Sequence, residues 1–335
     1  MKIRSFLRSN PGKCLVLALL LVLAAGSMLW SLKLGSLKLS AAQILETLWN
    51  QTGGIRYQIV CNIRLPRILC GALVGAALAV SGAILQGVMR NPLAAPGIIG
   101  VSAGGGLAGI LVMLALPQFS VLLVPAAFVG ALLTALLVYL LAWKQGVSPV
   151  RLILAGVAVA AMLGAVSSAI LLFNAEKAGG VLDFTIGSLT ARSWKHLQLS
   201  SWYLLAGLAG AFLFREKLNV LALGDEVAKG LGLHVERVRF FFIAVAALLA
   251  AGAVSIAGLL GFVGLIAPHI VRIVIGSDNR FLLPCSALFG AFLVTACDTA
   301  GRLVIEPSEL PAGIIMALLG PPFFLWLLRG CRYEA

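Results

Sequence analysis

The chain has 335 residues, of which 61% are hydrophobic and only 11% charged, with a net charge of +13 and a mean hydropathy of +1.06. This lies far outside soluble globular composition, and no polar stretch is long enough to form a separate soluble domain. Apolar runs of roughly 20 residues recur where a β-barrel would alternate polar and apolar positions, so the chain reads as all-α: one polytopic membrane domain over residues 1–335 with about ten spanning helices. On such a protein the positive charge reports topology and contact with membrane lipids, not nucleic-acid binding.

Residues 1–13 carry Lys2, Arg4, Arg8 and Lys13, and residues 14–32 are apolar. That run is too long for a signal peptide and lacks a small-residue cleavage site, so it is the first span, with its N-terminus in the cytoplasm. Residues 33–63 are mixed and external, with a short amphipathic helix at 41–49. Arg64-Leu65-Pro66-Arg67 opens a second span that ends near Met89. Its Gly71, Gly75, Ala79 and Gly82, three or four residues apart, suit close helix packing in lipid.

Arg90 to Gly97 is a tight turn bounded by Pro92 and Pro96. A third span, 98–116, contains Gly104-Gly105-Gly106. A phosphate-binding glycine loop needs a strand before it and a helix after it, so here the run reads as a packing or cavity feature. Further spans near 119–143, 150–173, 195–214, 238–256, 258–275, 281–299 and 311–328 return the C-terminus to the cytoplasmic side. The 258–275 segment is broken by glycines and holds Pro268-His269. Most lysines and arginines then fall inside. Arg64, Arg67 and Arg302 are exceptions at the outer ends of spans. They suit either carboxylates of an external partner or lipid headgroups. A short echo between Ala79-Val80-Ser81-Gly82 and Ala253-Val254-Ser255-Ile256, on oppositely directed helices, suits an inverted repeat.

The longest polar stretch, 215–239, is organised as more than a linker. Gly224 interrupts it, Asp225 and Glu226 suit the first turn of a short helix, and Gly230 and Gly232 suit its end. Asp225 and Lys229 are spaced to pair along one face. Val220, Leu221, Leu223, Val227 and Leu231 supply an apolar side. This is a docking surface for a soluble partner, or else a solvated loop that happens to be helical.

No phosphate-binding GxxxxGK[ST] loop occurs, so ATP hydrolysis is not expected of this chain. No GxSxG, HExxH or paired-carboxylate set supports an embedded enzyme. The cysteines (Cys14, Cys61, Cys70, Cys285, Cys297, Cys331) and histidines (His196, His234, His269) are scattered, which predicts no bound metal. The spans are nearly free of charge, which disfavours a stand-alone ion-coupled secondary transporter. The driving force must then come from outside the chain.

Several segments together resemble the FecCD family of ABC importer permeases: Arg64-Leu65-Pro66-Arg67; Asn91 to Gly97 with Gly100-Val101-Ser102-Ala103-Gly104; Ala222-Leu223-Gly224 with Ala228 and Leu231-Gly232-Leu233; Gly261 to Arg272; and Glu309-Leu310-Pro311-Ala312-Gly313. The resemblance runs from about residue 57 to 329. It implies a ten-helix permease of the bacterial cytoplasmic membrane, with both termini cytoplasmic, that imports an iron–siderophore, haem or vitamin B12. It also implies pairing with a second permease subunit as a homodimer or heterodimer, two ATPase subunits that bind the ATP-Mg, and a soluble extracytoplasmic binding protein. This chain would bind no cofactor. By the same resemblance Gly224, Asp225, Glu226, Ala228, Gly230, Leu231 and Gly232 form the helix that couples to the ATPase. Arg64, Arg67 and Arg302 receive carboxylates of the binding protein. Asn91, Leu93, Ser148 and Pro149 belong to cytoplasmic gates, with Pro149 standing where some relatives carry a hydroxyl residue. Gly156, Ala160 and Gly164 on the fifth span line the path or pack helices.

Overall fold

A computed structural model of the chain describes residues 7–35, 39–50, 54–144, 146–305 and 308–330. Lys2, Arg4, Lys38, Cys331 and Arg332, which enter the charge and cysteine readings above, lie outside the described residues. The helices in chain order are α1 (Asn10–Lys33), α2 (Ala41–Asn50), α3 (Leu65–Met89), α4 (Val101–Ala115), α5 (Leu123–Ala142), α6 (Pro149–Phe173), α7 (Ala175–Ile186), α8 (Trp194–Leu213), α9 (Arg215–Ala222), α10 (Asp225–Gly230), α11 (Val235–Ala257), α12 (Val263–Ile275), α13 (Asn279–Val304) and α14 (Ala312–Gly330). Among the described residues the only β-pairing is an isolated bridge between Trp143 and Val147.

Among the described residues six helices are long and apolar enough to cross a membrane: α1, the helix Ile55–Met89 that ends in α3, α5, α6, α11 and α13. A seventh is reached when α8 and α9, bent by 58° at their junction, are taken together as one span. The remaining expected spans are shorter apolar helices: α4, α12 and the Ala312–Phe323 part of α14. The 258–275 segment is helical only from Val263, because Gly258 (φ 71°) and Phe262 (φ 64°) hold the chain in left-handed conformations before it. Its 13 helical residues rise only about 20 Å, less than the hydrocarbon core.

Helix α3 is the centre of the bundle, buried along most of its length among α11, α12 and α13. The glycine row explains how. A β-carbon at Gly75 would collide with the Gly290 carbonyl of α13, and one at Gly82 with the Gly264 carbonyl of α12. The backbones approach there as only glycine permits. Gly104, Gly105 and Gly106 similarly back onto Thr134, Val254 and Leu259, so that triplet is a packing feature. Helix α6 is the opposite case, with little of its surface covered.

Contacts at the two ends of α1 orient the bundle. At its start Lys13 lies 3.6 Å from Asp278, which accepts a hydrogen bond from Asn219 of α9. Burial alone would raise the Asp278 pKa. The backbone N–H of Arg280, the Asn219 amide, and the charges of Lys13 and Arg280 nonetheless hold it below the usual carboxylate range. At the far end of α1, Ser31 and Leu32 meet Arg302 and Arg64. The 215–239 stretch therefore shares an end of the bundle with the start of α1, and the arginine cluster sits at the other end.

Candidate functional site

The end expected to face the cytoplasm, called the inner end below and the opposite one the outer end, is built on α9 and α10. Leu218 and Leu221 of α9 are buried in the bundle, so the helix is anchored along one side. The chain reverses at Gly224, where φ is 111°, and α10 follows for the six residues Asp225–Gly230. Ala228 is fully buried beneath it, while Glu226 and Gly230 face outward. Gly232, at φ 79°, turns the chain out of the helix. Of the expected apolar side, Leu221 faces the bundle, whereas Leu223, Val227 and Leu231 are 62%, 51% and 64% exposed. These three form an apolar ridge on a polar, otherwise solvated end.

Asp225 does not pair with Lys229 as its spacing suggested. Its carboxylate turns inward and takes both oxygens to Nη2 of Arg239, at 2.7 and 2.8 Å, and lies 3.8 Å from Arg90. A buried guanidinium offering a fixed, charge-assisted geometry outcompetes an exposed, flexible ammonium four residues away. Arg239 is 2% exposed. Sequence reasoning counted it only as one more base of the loop. The signal was its register, because Val235, Val238, Arg239 and Phe242 share one buried stripe of α11.

The two segments expected to form gates lie close by. Arg90 closes α3 in the left-handed conformation, its N–H reaching the Gln86 and Gly87 carbonyls. Asn91 then accepts the Leu93 N–H on its side-chain oxygen at 2.9 Å, which shapes the turn and leaves Leu93 partly exposed. Ser148 stands at the N-cap of α6 with Pro149 next, a position that needs no N–H. Further along α6, Gly156 backs directly onto the Ile98 carbonyl. Gly156 is therefore a packing position. Ala160 is half-buried, and Gly164 is exposed with open space around it.

At the outer end Arg64, Arg67 and Arg302 do come together, but as buried groups only 5–7% exposed. Arg67 holds Asp298 through Nε and Nη2 at 2.9–3.2 Å and Glu309 through Nη1 at 2.7 Å. Arg302 lies 3.5 Å from the same Asp298 and donates to Ser31 Oγ at 2.5 Å and to the Leu34 carbonyl at 3.3 Å. Arg64 donates to the Leu32 carbonyl at 2.7 Å. Sequence reasoning did not foresee that Asp298 and Glu309 would occupy these arginines. In the loop beside them, burial lowers the pKa of Arg192 against the pull of Cys70 and Asp183. The cluster is rich in cations, and Glu309 is its outward-facing acid, with its side chain 40% exposed.

Comparison with known proteins extends the likeness beyond these sites. The model of the FecCD transport family matches residues 19–330. The Fe(3+)-citrate import system permease protein YfmE of Bacillus subtilis is 39% identical, covering 94% of each chain. The hemin transport system permease protein HmuU of Yersinia pestis is 38% identical over 96% of this chain and 97% of its own. The cobalamin import system permease protein BtuC of Halobacterium salinarum is 46% identical over 83% of this chain and 75% of its own. Among solved structures, an inward-facing metal-chelate type ABC transporter superimposes with a TM-score of 0.83 and 32% identity, covering 94% of this chain and 99% of its own.

Proposed function

The chain belongs to the FecCD transport family, and from that premise we propose that it is the membrane permease subunit of a binding-protein-dependent ABC importer for a metal chelate. An iron–siderophore is the first candidate solute. The relatives named for Fe(3+)-citrate, hemin and cobalamin differ in cargo but share a metal held in an organic chelator, so haem or cobalamin is the alternative.

The observation that carries the coupling part of this reading is the ridge of Leu223, Val227 and Leu231, exposed at the end of a short helix whose other side is anchored in the bundle. Exposed apolar side chains on a rigid, polar-rimmed helix suit a groove on a soluble partner. In this reading the partner is an ATPase subunit, one for each of two permease subunits, and it binds the ATP-Mg. The open surface of α6, including Ala160 and Gly164, faces the second permease subunit and the solute path. The outer end receives the binding protein, whose carboxylates compete with Glu309 for the solvent-side arm of Arg67. The membrane is the bacterial cytoplasmic one, with α9 and α10 inside.

The test is ATP hydrolysis by the chain co-expressed with its genomic neighbours in nanodiscs, with each candidate binding protein added empty or loaded. Stimulation by one loaded binding protein identifies the cargo. Leu231→Asp should weaken ATPase association by roughly tenfold or more, as loss of a central apolar contact does. Uptake driven by a proton gradient without any associated ATPase would replace this reading with a stand-alone secondary transporter.

A further inference from the structure

We propose that Arg239 is a transmission joint, binding α10 to the turn before α6 so that the ATPase-facing helix and the gate segment move as one body. The inference rests on the importer reading above and adds the residue through which the coupling helix acts.

The geometry is specific. Arg239 sits in the second turn of α11, nearly inaccessible to water, and its guanidinium reaches two other segments of the chain. Nη2 takes both oxygens of Asp225, the first residue of α10. Nη1 donates to Glu236 at 2.8 Å and to the backbone carbonyl of Val147 at 3.0 Å. Glu236 in turn accepts the backbone N–H of Val147 at 3.3 Å. Both backbone hydrogen-bonding groups of Val147 are thus held by the Arg239–Glu236 pair. Val147 is followed directly by Ser148 and Pro149, where α6 begins. At the neighbouring Gly146, φ is 114°, and a β-carbon would come within 3.2 Å of the Glu236 carboxylate.

A planar guanidinium with charge-assisted bonds resists shear better than a single hydrogen bond does. Its burial also matters. If α10 moved without the turn, or the turn without α10, the Arg239 donors would lose partners in a place water does not reach, and a buried unsatisfied donor is costly. Joint motion is the cheaper deformation. The same Asp225 lies 3.8 Å from Arg90, whose side chain is 47% exposed and which precedes Asn91. Asp225 therefore faces both gate segments, firmly through Arg239 and loosely through Arg90.

The test uses the assembled permease–ATPase complex in nanodiscs, with spin labels at Lys229→Cys on α10 and Lys144→Cys beside the turn, after Cys14→Ser and Cys331→Ser. In the parent protein the distance between the labels should stay constant when ATP-Mg binds. In Arg239→Met the ATPase should still co-purify, the label distance should become nucleotide-dependent, and chelate imported per ATP should fall by at least about tenfold, in the range of typical coupling free energies. Arg239→Lys, which keeps the charge and loses the fork, should lie between. A purely structural role would lower the amount of folded complex and leave import per ATP unchanged, which overturns the proposal. So would a constant label distance in Arg239→Met. If that variant does not assemble, Glu236→Gln replaces it. Glu236→Gln should raise the nucleotide dependence of the label distance, and no change overturns the proposal. Failure of the parent chain to bind any ATPase is a different result, which removes the importer reading itself.

Discussion

The two ends of the bundle solve the same problem with opposite stoichiometry. At the outer end one buried carboxylate, Asp298, serves two buried arginines, Arg67 and Arg302. At the inner end one buried arginine, Arg239, serves two carboxylates, Asp225 and Glu236, whose side chains are 38% and 42% exposed. In the outer cluster the central acid and both bases are sealed from water, so no partner can leave without stranding a charge. In the inner cluster only the hub is sealed, and its acids can be hydrated as they move. The outer arrangement suits a strut, and the inner one suits a joint.

The most severe way to break the outer strut is Asp298→Asn, which leaves Arg302 buried without a counter-charge and Arg67 with only the half-exposed Glu309. Removing one partner of a buried ion pair typically costs about 3–5 kcal/mol, so this variant should show a large drop in unfolding temperature in detergent. Adding Arg302→Met should recover part of the loss, since it removes the stranded charge. Arg239→Met should cost less, about 1–2 kcal/mol, because its two carboxylates can turn to water while the Val147 carbonyl loses one bond. A stability loss for Arg239→Met as large as that for Asp298→Asn would show that the inner cluster is a strut as well.

Glu309→Gln sharpens the outer half. Glu309 is half exposed and holds only the outermost arm of Arg67, so its loss should cost no more than about 1 kcal/mol of stability. If carboxylates of a binding protein compete for that arm, the same change should tighten docking by roughly two- to fivefold, read by surface plasmon resonance on the reconstituted permease. Unchanged or weaker docking would mean that Arg67 takes no part in it.

What the sequence made legible follows from locality. Apolar runs, glycine steps and prolines act within one or two helical turns, and they located the apolar helices, the short helix expected at 41–49 and the break at Gly224. The pairings that define the two clusters are non-local. Arg67 and Asp298 lie 231 positions apart, and no spacing rule reaches that far. Asp225 shows the same limit at shorter range. Its helical spacing pointed to Lys229, but the fold set a buried guanidinium from 14 positions away against it. The bent α8–α9 pair and the late start of α12 also escaped the hydropathy reading, because one non-helical residue, Phe214 in the first case and Phe262 in the second, leaves the composition of a window unchanged. The three outer arginines were legible as a set from the resemblance. Their burial was not, because the acids that neutralise them come from α13 and the segment after it.

The smallest expected effect separates a specific joint from general electrostatics at the inner end. Glu216 and Arg280 form a pair at 3.5 Å, but their side chains are 68% and 58% exposed. Both groups keep most of their hydration, and salt screens their attraction, so such pairs contribute at most about 0.5 kcal/mol. Glu216→Gln should therefore leave both the unfolding temperature and chelate imported per ATP within error of the parent. It removes one negative charge from the same end of the molecule, as Asp225→Asn would, yet touches no buried partner. If Glu216→Gln reduced coupling to the extent expected of Arg239→Met, the controlling quantity would be the net charge of the inner surface facing the ATPase. If it is silent while Arg239→Met uncouples, the effect belongs to the buried fork and to the two segments it holds together.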